Sequence, residues 1–398
     1  MADADYDLTV VGGGIHGVGV AQAAAAAGHS VALLEARELA AGTSSKSSKL
    51  IHGGLRYLES FELGLVRESL RERAILLRIA PELVRLVPFY VPVYRETSRR
   101  PWKVRAGLTL YALLANLREA GRFSTLPRAR WEELDGLRTD GLQAVFRYYD
   151  AQTDDAQLTR AVMASAQELG ATLLCPAELR VAEREGDGYR LTYEQDGEPR
   201  SHTTGVLVNA AGPWVEEVRA CVRPEPPGLA IDLVQGTHIE LPGEIEQGIY
   251  YTEAPRDRRA VFTMPWKGHT LVGTTERFHE GDPAASSPTA EEIEYLQETF
   301  HAHFPGRETS VTKAWAGLRV LPRAEGSAFK RTRETIYRVD DEREPRYLAI
   351  YGGKLTGYRA AAEQAVQVVR QSMPRRQRLA RTREVSLSVS PRRSTNRR

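Results

Sequence analysis

The hydrophobic pattern at the start of the chain predicts a strand, a helix and a second strand. Residues 7–11 form a short, mostly apolar run, which is typical of a buried parallel strand. An alanine-rich segment continues to about residue 27 and stops at Gly28, which predicts a tightly packed helix. A second apolar run, residues 30–34, ends at the acidic residue Glu35. This order of elements indicates an α/β fold that begins with a nucleotide-binding unit.

Three glycines lie between the first predicted strand and the helix. Gly12 permits a tight turn, Gly14 lets the backbone approach a pyrophosphate, and Gly17 lets the helix pack closely on the sheet. The N-terminus of the helix offers N–H groups and a partial positive charge to phosphates. Glu35 stands where a carboxylate can bind ribose hydroxyls and would repel the 2′-phosphate of NADP. The pattern therefore predicts a dinucleotide site and leaves NAD and FAD as alternatives.

Two later segments favour FAD. Residues 206–214 predict a strand that runs into a turn of small residues, against which a ring or a second backbone can lie. Residues 348–358 predict a strand, a glycine pair and a helix that begins near Thr356. The N-terminus of that helix can stabilise negative charge on a reduced flavin. We therefore expect a discontinuous Rossmann-like FAD-binding domain, together with an α+β substrate domain built on a β-sheet.

The chain resembles the FAD-dependent, aerobic glycerol-3-phosphate dehydrogenase family, within the larger group of glycine- and D-amino-acid-oxidase-like flavoproteins. The matching runs are GGGIHG, TSSKSSKLIHGGLRYLE, TDDAQL, NAAGPW, QGTHI, VGTTE, GLRVLP and GGKLTGYR, in the order of the family. The resemblance implies oxidation of sn-glycerol 3-phosphate to dihydroxyacetone phosphate, with transfer of the C2 hydride to flavin N5. It also implies that the electrons pass to a quinone or another acceptor, and it implies no metal.

The resemblance assigns a set of residues to the cofactor. The serine- and lysine-rich stretch after the second strand matches the family's flavin-wrapping loop, which offers hydroxyls and N–H groups to the FAD phosphates and ribityl chain. Without the resemblance, the same stretch fits a flexible surface loop equally well. The cofactor-binding residues that it implies are Gly12, Gly14, Gly17, Glu35, Thr43, Ser44, Ser45, Ser47, Ser48, His52, Gly53, Ala211, Gly212, Trp214, Gly353, Lys354, Leu355 and Thr356.

A phosphorylated alcohol needs cations for its dianion and a base near the hydroxyl group that loses its proton. The resemblance implies that His238 is this base, that Arg319 assists it, and that Lys354 completes the catalytic set. Glu276 stands where the family more often has Asp. The substrate-binding residues that the resemblance implies are Arg56, Tyr57, Thr275 and Arg333.

The motifs suggest a division of the chain into two domains and a tail. The tail is rich in arginine, serine and proline, which predicts disorder. Where this tail begins, the family usually continues with a helical domain, and the resemblance of this chain to the family fades there. We expect the FAD-binding domain at residues 1–90, 145–218 and 340–372, the substrate domain at 91–144 and 219–339, and the basic tail at 373–398.

Composition and charge narrow the expected partners and location. The net charge is +2, so no nucleic-acid partner is expected. Two cysteines without CxxC spacing favour a reducing, cytoplasmic setting. Residues 60–120 combine helical apolar spacing with many cations, which fits either a helix that covers a core or a peripheral patch for the anionic inner membrane. The sequence leaves open whether the chain forms a homodimer.

Two other functions stay open from the sequence. The same fold could oxidise an amine or another hydroxy acid, in which case loss of Arg319 would matter far less. The chain could also be a non-catalytic flavoprotein. The joint presence of Arg56, His238, Arg319 and Lys354 argues against the second alternative.

Overall fold

The computed structural model describes residues 4–58, 61–115, 122–323 and 334–388, with the side chain of Arg56 outside this description. Its strands form two sheets, as the sequence predicts for an α/β fold with a second sheet-based unit. The strands are β1 (Tyr6–Val11), β2 (Val31–Leu34), β3 (Leu50–Ile51), β4 (Val84–Tyr94), β5 (Ser124–Thr125), β6 (Leu142–Thr153), β7 (Thr172–Leu174), β8 (Glu178–Glu185), β9 (Gly188–Gln195), β10 (Glu198–Asn209), β11 (Val222–Arg223), β12 (Ile231–Leu241), β13 (Ile249–Glu253), β14 (Ala260–Trp266), β15 (His269–Gly273), β16 (Arg277–His279), β17 (Lys313–Pro322), β18 (Thr335–Val339) and β19 (Tyr347–Gly352).

The helices lie between these strands, and short 3-10 turns occupy several of the connections. The α-helices in the described part of the chain are α1 (Ile15–Ala26), α2 (Leu63–Ile79), α3 (Pro101–Leu114), α4 (Asp155–Glu168), α5 (Val215–Ala220), α6 (Ala290–His303) and α7 (Tyr358–Val369).

The first sheet contains the nucleotide-binding unit that the sequence predicts. β1 pairs in parallel with β2 and with β10, and β7 and β19 extend this parallel set on either side. β8 and β9 form an antiparallel extension on the early part of β10. Leu8, Val10 and Leu33 are fully buried, which is why these strands are nearly continuous apolar runs. The returns of the chain at β10 and β19 confirm the predicted discontinuous arrangement.

Helix α1 is buried along most of its length between α4 and α7. Its alanines allow the three helices to approach closely, and Gly19 lies directly against the ring of Tyr358. His16 is the one residue of this helix that is not buried, because its side chain faces the cavity described below. Close packing of α1 therefore fixes the position of its N-terminus at the end of β1.

The second sheet carries the candidate substrate-side residues. β12 pairs antiparallel with both β15 and β17, so His238 lies opposite Gly273 on one side and Trp315 on the other. The same pairing places Arg319 opposite Val234. Helix α6 packs on this sheet through Leu296, Phe300 and Phe304, which form a core with residues of β12, β13 and β15. The sheet thus holds its polar residues in a fixed register.

The predicted domain boundaries at residues 90 and 145 fall inside β4 and β6. These strands pair with each other in the second sheet from Val84 opposite Thr153 to Val93 opposite Ala144. We propose that both strands belong entirely to the substrate domain. The rest of the predicted division stays a prediction.

Residues 373–388 pack against the first sheet and its helices, where composition had predicted a disordered tail. The Arg376 guanidinium pairs with the Asp7 carboxylate at 3.0 Å, and the Leu387 side chain is buried. The Leu387 N–H also donates to the Ile79 carbonyl at 2.7 Å. The predicted disorder is therefore incorrect for this segment, because composition does not reveal individual anchoring contacts. The rest of the predicted tail lies outside the described residues.

Candidate cofactor and substrate site

A cavity of about 820 Å³ is lined by residues from both sheets. The first sheet contributes the glycine-rich turn after β1, the end of β2 and the turns after β10 and β19. The second sheet contributes residues of β12, β14 and β17. The size and extended lining of the cavity suit a long ligand that reaches from one sheet to the other.

The glycine-rich turn requires glycine for two different steric reasons. Gly12 has φ of +111°, and a Cβ at this position would lie 2.6 Å from the Ala210 carbonyl oxygen. Gly17 does not line the cavity, but a Cβ on it would collide with the carbonyl of Gly12. Gly12 therefore shapes the cavity wall, whereas Gly17 acts by allowing α1 to pack.

Hydrogen bonds fix the N-terminus of α1 at the cavity. The Ile15 N–H donates to the Ser44 hydroxyl oxygen at 2.9 Å. The Glu35 carboxylate accepts from the N–H groups of Gly13 at 2.7 Å and of Arg37 at 2.8 Å. Glu35 thus lines the cavity at the end of β2 and also holds the glycine-rich turn in place.

The serine- and lysine-rich loop is anchored by specific contacts and is therefore not a flexible surface loop. The Lys49 ammonium and the Asp155 carboxylate form a buried ion pair at 2.7 Å. The Ser47 N–H donates to the second oxygen of Asp155 at 2.9 Å, and the Thr43 hydroxyl donates to the Leu318 carbonyl at 2.6 Å. These contacts turn the loop toward the cavity. The predicted cofactor residues of the loop that line it are Thr43, Ser44, Ser47 and Ser48, whereas Ser45 does not.

The stretch after this loop is held from two sides. The backbone N–H of His52 lies 3.1 Å from the Thr356 hydroxyl oxygen, which also donates to the His52 carbonyl at 3.3 Å. The Gly53 N–H donates to the Tyr111 hydroxyl at 2.9 Å. Of these predicted cofactor residues, His52 and Thr356 line the cavity and Gly53 does not.

The turns after β10 and β19 complete the lining on the first-sheet side. The predicted cofactor residues Ala211, Gly212 and Trp214 line the cavity. The Arg37 guanidinium lies over the Trp214 ring at 4.8 Å from its centroid. In the turn after β19, Gly353 has φ of +93° and lies against the His16 imidazole.

Residues that follow Gly353 also line the cavity. The predicted cofactor residue Leu355 is one of them. The Lys354 ammonium lies 3.8 Å from the centroid of the Tyr57 ring, which is a cation–π contact. The structure therefore brings together two residues that the sequence assigned separately to catalysis and to substrate binding.

His238 is a buried histidine with a strongly lowered basicity. Its Nε2 lies 3.0 Å from the Ser48 hydroxyl oxygen, and its ring stacks on Trp315 at 5.9 Å between centroids. Burial, together with the positive charges of Lys49 and Arg319, lowers the pKa of His238 to about 3. The imidazole is therefore neutral at physiological pH and has the protonation state that a base requires.

Two arginines share one carboxylate at the second-sheet end of the cavity. Glu276 lies 3.4 Å from the Arg319 guanidinium and 2.6 Å from that of Arg259, and its side chain is nearly buried. All three residues line the cavity. The two guanidinium groups offer N–H donors and positive charge to an anionic ligand at this end of the cavity.

Arg259 is a cavity-lining residue that the sequence motifs do not predict. It directly precedes β14, and Glu276 follows β15, so the antiparallel β14–β15 pair brings the two together. The signal that could have revealed this contact is the Lys267–Gly268 turn between two apolar runs, which predicts a hairpin.

Thr275, a predicted substrate-binding residue, does not line the cavity. The Thr275 hydroxyl donates to Glu292 at 2.6 Å and accepts from the Thr237 N–H at 2.9 Å, behind the cavity wall. Its neighbour Thr274 lines the cavity instead. Arg333 and the side chain of Arg56 lie outside the described residues.

Comparison with known proteins places this fold and site in a family. A sequence model described as FAD dependent oxidoreductase matches residues 7–383. The chain belongs to this FAD-dependent oxidoreductase family. Among its curated relatives is a glycerol-3-phosphate dehydrogenase of Pseudomonas aeruginosa, 40% identical over 376 residues, which cover 91% of this chain and 71% of the relative.

Two further proteins are similar to this chain. A D-erythritol 1-phosphate dehydrogenase of Brucella abortus is 36% identical over 374 residues, which cover 92% of this chain and 74% of the relative. The solved structure of glycerol-3-phosphate dehydrogenase from Bacillus halodurans, in complex with FAD, is 26% identical with a TM-score of 0.75. It covers 98% of this chain and 68% of that one.

The residues of this chain fit the FAD that the family implies. Gly12 leaves the cavity wall without a side chain next to the N-terminus of α1, where a pyrophosphate can approach N–H groups. The Ser44 and Ser48 hydroxyls add polar groups along the same wall. The turn at Gly353 and Lys354 precedes α7, whose N-terminus can stabilise a negatively charged flavin. The cavity is long enough to continue from these residues to Arg319.

Proposed function

We propose that this chain oxidises sn-glycerol 3-phosphate to dihydroxyacetone phosphate. The observation that supports it best is one cavity that joins the glycine-rich FAD wall to His238 and the pair of arginines on Glu276. A cofactor site and an anion-binding end with a neutral imidazole between them suit a small phosphorylated alcohol. The names of the Pseudomonas aeruginosa and Bacillus halodurans relatives agree with this substrate.

In this proposal FAD, when bound, supplies the acceptor for the C2 hydride. His238 takes the proton of the C2 hydroxyl. In the resting site, Lys49 and Arg319 oppose protonation of the imidazole. Binding of a phosphate dianion brings negative charge that offsets these cations, so the pKa of His238 rises when substrate is present. Substrate binding thus prepares the base.

The proposed phosphate site consists of Arg319 and Arg259. Glu276 holds the two guanidinium groups in a fixed arrangement, so little rotational freedom is lost when the substrate binds. Lys354 and Tyr57 line the cavity as well, and we propose that they contact the substrate near the flavin. Roles for Arg56 and Arg333 stay predictions from the family resemblance.

D-erythritol 1-phosphate is a second candidate substrate, favoured by the 36% identity to the Brucella abortus enzyme of that name. It shares the phosphate and the secondary alcohol with sn-glycerol 3-phosphate, so both would use the same charged residues. We expect the larger kcat/KM for sn-glycerol 3-phosphate, since the first curated relatives act on glycerol 3-phosphate by name.

Steady-state oxidation with an artificial dye acceptor tests this proposal. The substrates to compare are sn-glycerol 3-phosphate, D-erythritol 1-phosphate, unphosphorylated glycerol and glycine. A kcat/KM for sn-glycerol 3-phosphate well above the other three supports the proposal. A higher value for glycine, or equal values for glycerol and its phosphate, would contradict it, because neither result needs the arginines.

The electron acceptor in this proposal is a quinone, reached from a membrane surface. No helix in the described ranges has the length and apolar character to span a bilayer. Helix α3, however, exposes Trp102 and Leu113, which are 67% and 55% exposed. Lys103 and Arg105 lie beside them, and the helix contains no acidic residue. An apolar face with basic neighbours suits peripheral binding to anionic lipid.

Sedimentation with lipid vesicles tests the membrane part of the proposal. We expect the protein to pellet with phosphatidylglycerol vesicles and not with phosphatidylcholine vesicles. Trp102→Ser should release it, whereas Leu379→Ser, at a leucine that is 62% exposed on another surface, should not. Equal release by both variants would argue against α3 as the binding face. The oligomeric state can be measured on the same protein preparations. That the chain forms a homodimer stays a prediction.

A further inference from the structure

Tyr111 connects helix α3 to the stretch that faces the cavity. Its hydroxyl oxygen accepts a hydrogen bond from the Gly53 N–H at 2.9 Å. The same hydroxyl donates to the Asp150 carboxylate at 2.5 Å. Tyr111 and Asp150 are both fully buried. The backbone of the loop is thus joined to the Asp150 carboxylate on β6 through the Tyr111 hydroxyl, and the Gly53 backbone also interacts with Asp150 directly.

The carboxylate at the end of this chain of contacts is itself fixed. Arg73, on α2, forms a buried ion pair with Asp150 and also donates to the Tyr149 carbonyl at 3.0 Å. Burial raises the pKa of Tyr111 well above its ordinary value, and the negative charge of Asp150 adds to this effect. Tyr111 therefore keeps its proton and remains a donor to Asp150.

The contact at Gly53 leaves no room for a side chain. A Cβ at this position would collide with the Tyr111 hydroxyl and would lie 2.8 Å from the Leu70 side chain. The residues on either side, His52 and Gly54, line the cavity. The backbone at Gly53 thus packs against the Tyr111 hydroxyl, while its neighbours His52 and Gly54 face the cavity.

We propose that Tyr111 is a positioning residue for the bound cofactor, because its hydroxyl holds Gly53 in place between two residues that line the cavity. This inference rests on the proposed function only in assuming that FAD occupies the cavity. Loss of the hydroxyl leaves the Gly53 N–H and Asp150 each short of one partner. The stretch can then shift away from the cofactor, even though the aromatic ring still fills its place in the core.

Tyr111→Phe tests this inference, with Tyr250→Phe as a matched control. Tyr250 is also fully buried, and its hydroxyl donates to the Asp135 carboxylate at 2.7 Å, but Asp135, unlike Gly53, is not flanked by cavity-lining residues. We expect both variants to lower the Tm. Only Tyr111→Phe should raise the Kd for FAD, by roughly tenfold, and shift the flavin reduction potential and visible spectrum.

A lowered Tm in both variants with unchanged FAD affinity, potential and spectrum would overturn the inference, because Tyr111 would then be purely structural. If Tyr111→Phe fails to fold, hydrogen exchange of the wild-type holoenzyme gives the answer. The Gly53 amide should exchange at least about a hundredfold more slowly than an exposed amide. Rapid exchange at Gly53 would overturn the inference.

The outcome for Tyr111 is independent of the substrate. If the wild-type flavin is not reduced by sn-glycerol 3-phosphate, the proposed function fails. An altered FAD affinity and spectrum in Tyr111→Phe would still support the positioning role. If the wild-type enzyme oxidises the substrate and Tyr111→Phe behaves like Tyr250→Phe, only the positioning role fails.

Discussion

The imidazole Nε2 of His238 lies 3.0 Å from the hydroxyl oxygen of Ser48. The two residues come from different parts of the fold, since Ser48 belongs to the anchored loop after β2 and His238 to β12. Their contact joins the proposed cofactor loop to the proposed base. It also fixes the imidazole, whose other face stacks on Trp315.

Substitution of His238 should lower the rate of oxidation more than the affinity for substrate. For His238→Gln we expect kcat to fall by roughly 10²- to 10⁴-fold, the usual contribution of a general base, with a small change in KM. Dye-linked kinetics measure both values. His303→Gln is the control, because His303 is also buried but lies on α6, outside the cavity. Equal losses in the two variants would contradict the role of His238.

The lowered pKa of His238 predicts a dependence of stability on pH. The folded value of about 3 lies below the ordinary value of 6.5, so the unfolded state binds a proton that the folded state excludes. The contribution of His238 is therefore present above pH 6.5 and is lost as the pH falls toward about 3. The slope is at most about 1.4 kcal/mol per pH unit for one proton.

Urea unfolding of the wild type and of His238→Gln between pH 5 and 7 measures this slope. The variant should lose less free energy of unfolding than the wild type as the pH falls, because glutamine does not titrate. Parallel curves for the two proteins would show that His238 titrates in the folded state as it does in the unfolded chain, contrary to the lowered pKa.

Removal of Arg319 should weaken catalysis of the phosphorylated substrate without loss of the cofactor. We expect Arg319→Ala to lower kcat/KM by a factor that corresponds to a loss of about 2–5 kcal/mol of transition-state stabilisation. The substitution truncates one member of a largely desolvated cluster of charges. Arg259→Ala should act in the same direction. Arg256→Ala is a control from the same segment, because Arg256 pairs with Glu298 at the surface.

The measurement for the arginines is kcat/KM together with the flavin content of each purified variant. Full flavin content with lowered kcat/KM supports the proposed phosphate site. An Arg319→Ala enzyme with wild-type kcat/KM would remove the basis for a phosphorylated substrate.

Gly12→Ala should abolish FAD binding. The residue has φ of +111°, and a Cβ would lie 2.6 Å from a backbone carbonyl that cannot move independently of the sheet. Gly107→Ala is the control, because Gly107 lies on α3 with open space around a Cβ. Fluorescence titration of the apoproteins with FAD distinguishes them. Unchanged affinity in Gly12→Ala would mean that the cofactor lies elsewhere.

The FAD-binding unit could be predicted because its signals are local. Gly12, Gly17 and the alanines of α1 act through turn geometry and close packing, both of which leave a pattern in neighbouring residues. The roles of Arg259 and Tyr111 could not be predicted in this way. Their partners Glu276 and Gly53 come near only through strand pairing and helix packing over long separations in sequence.

The errors have the same physical origin. Thr275 stands beside a cavity-lining residue, but its side chain is held behind the cavity wall by hydrogen bonds to Glu292 and Thr237. The segment that ends at Leu387 is compositionally typical of a tail, yet a few specific contacts bind it to the fold. Composition describes average tendencies, whereas these two outcomes depend on single contacts.

The most direct test is reduction of the enzyme-bound flavin by substrate in the absence of oxygen. The purified holoenzyme is mixed with sn-glycerol 3-phosphate while the visible flavin absorption is followed. The account predicts rapid bleaching in the wild type, and slow bleaching in His238→Gln and Arg319→Ala at full flavin content. A wild-type enzyme saturated with FAD whose absorption does not change would contradict the proposed oxidation of sn-glycerol 3-phosphate.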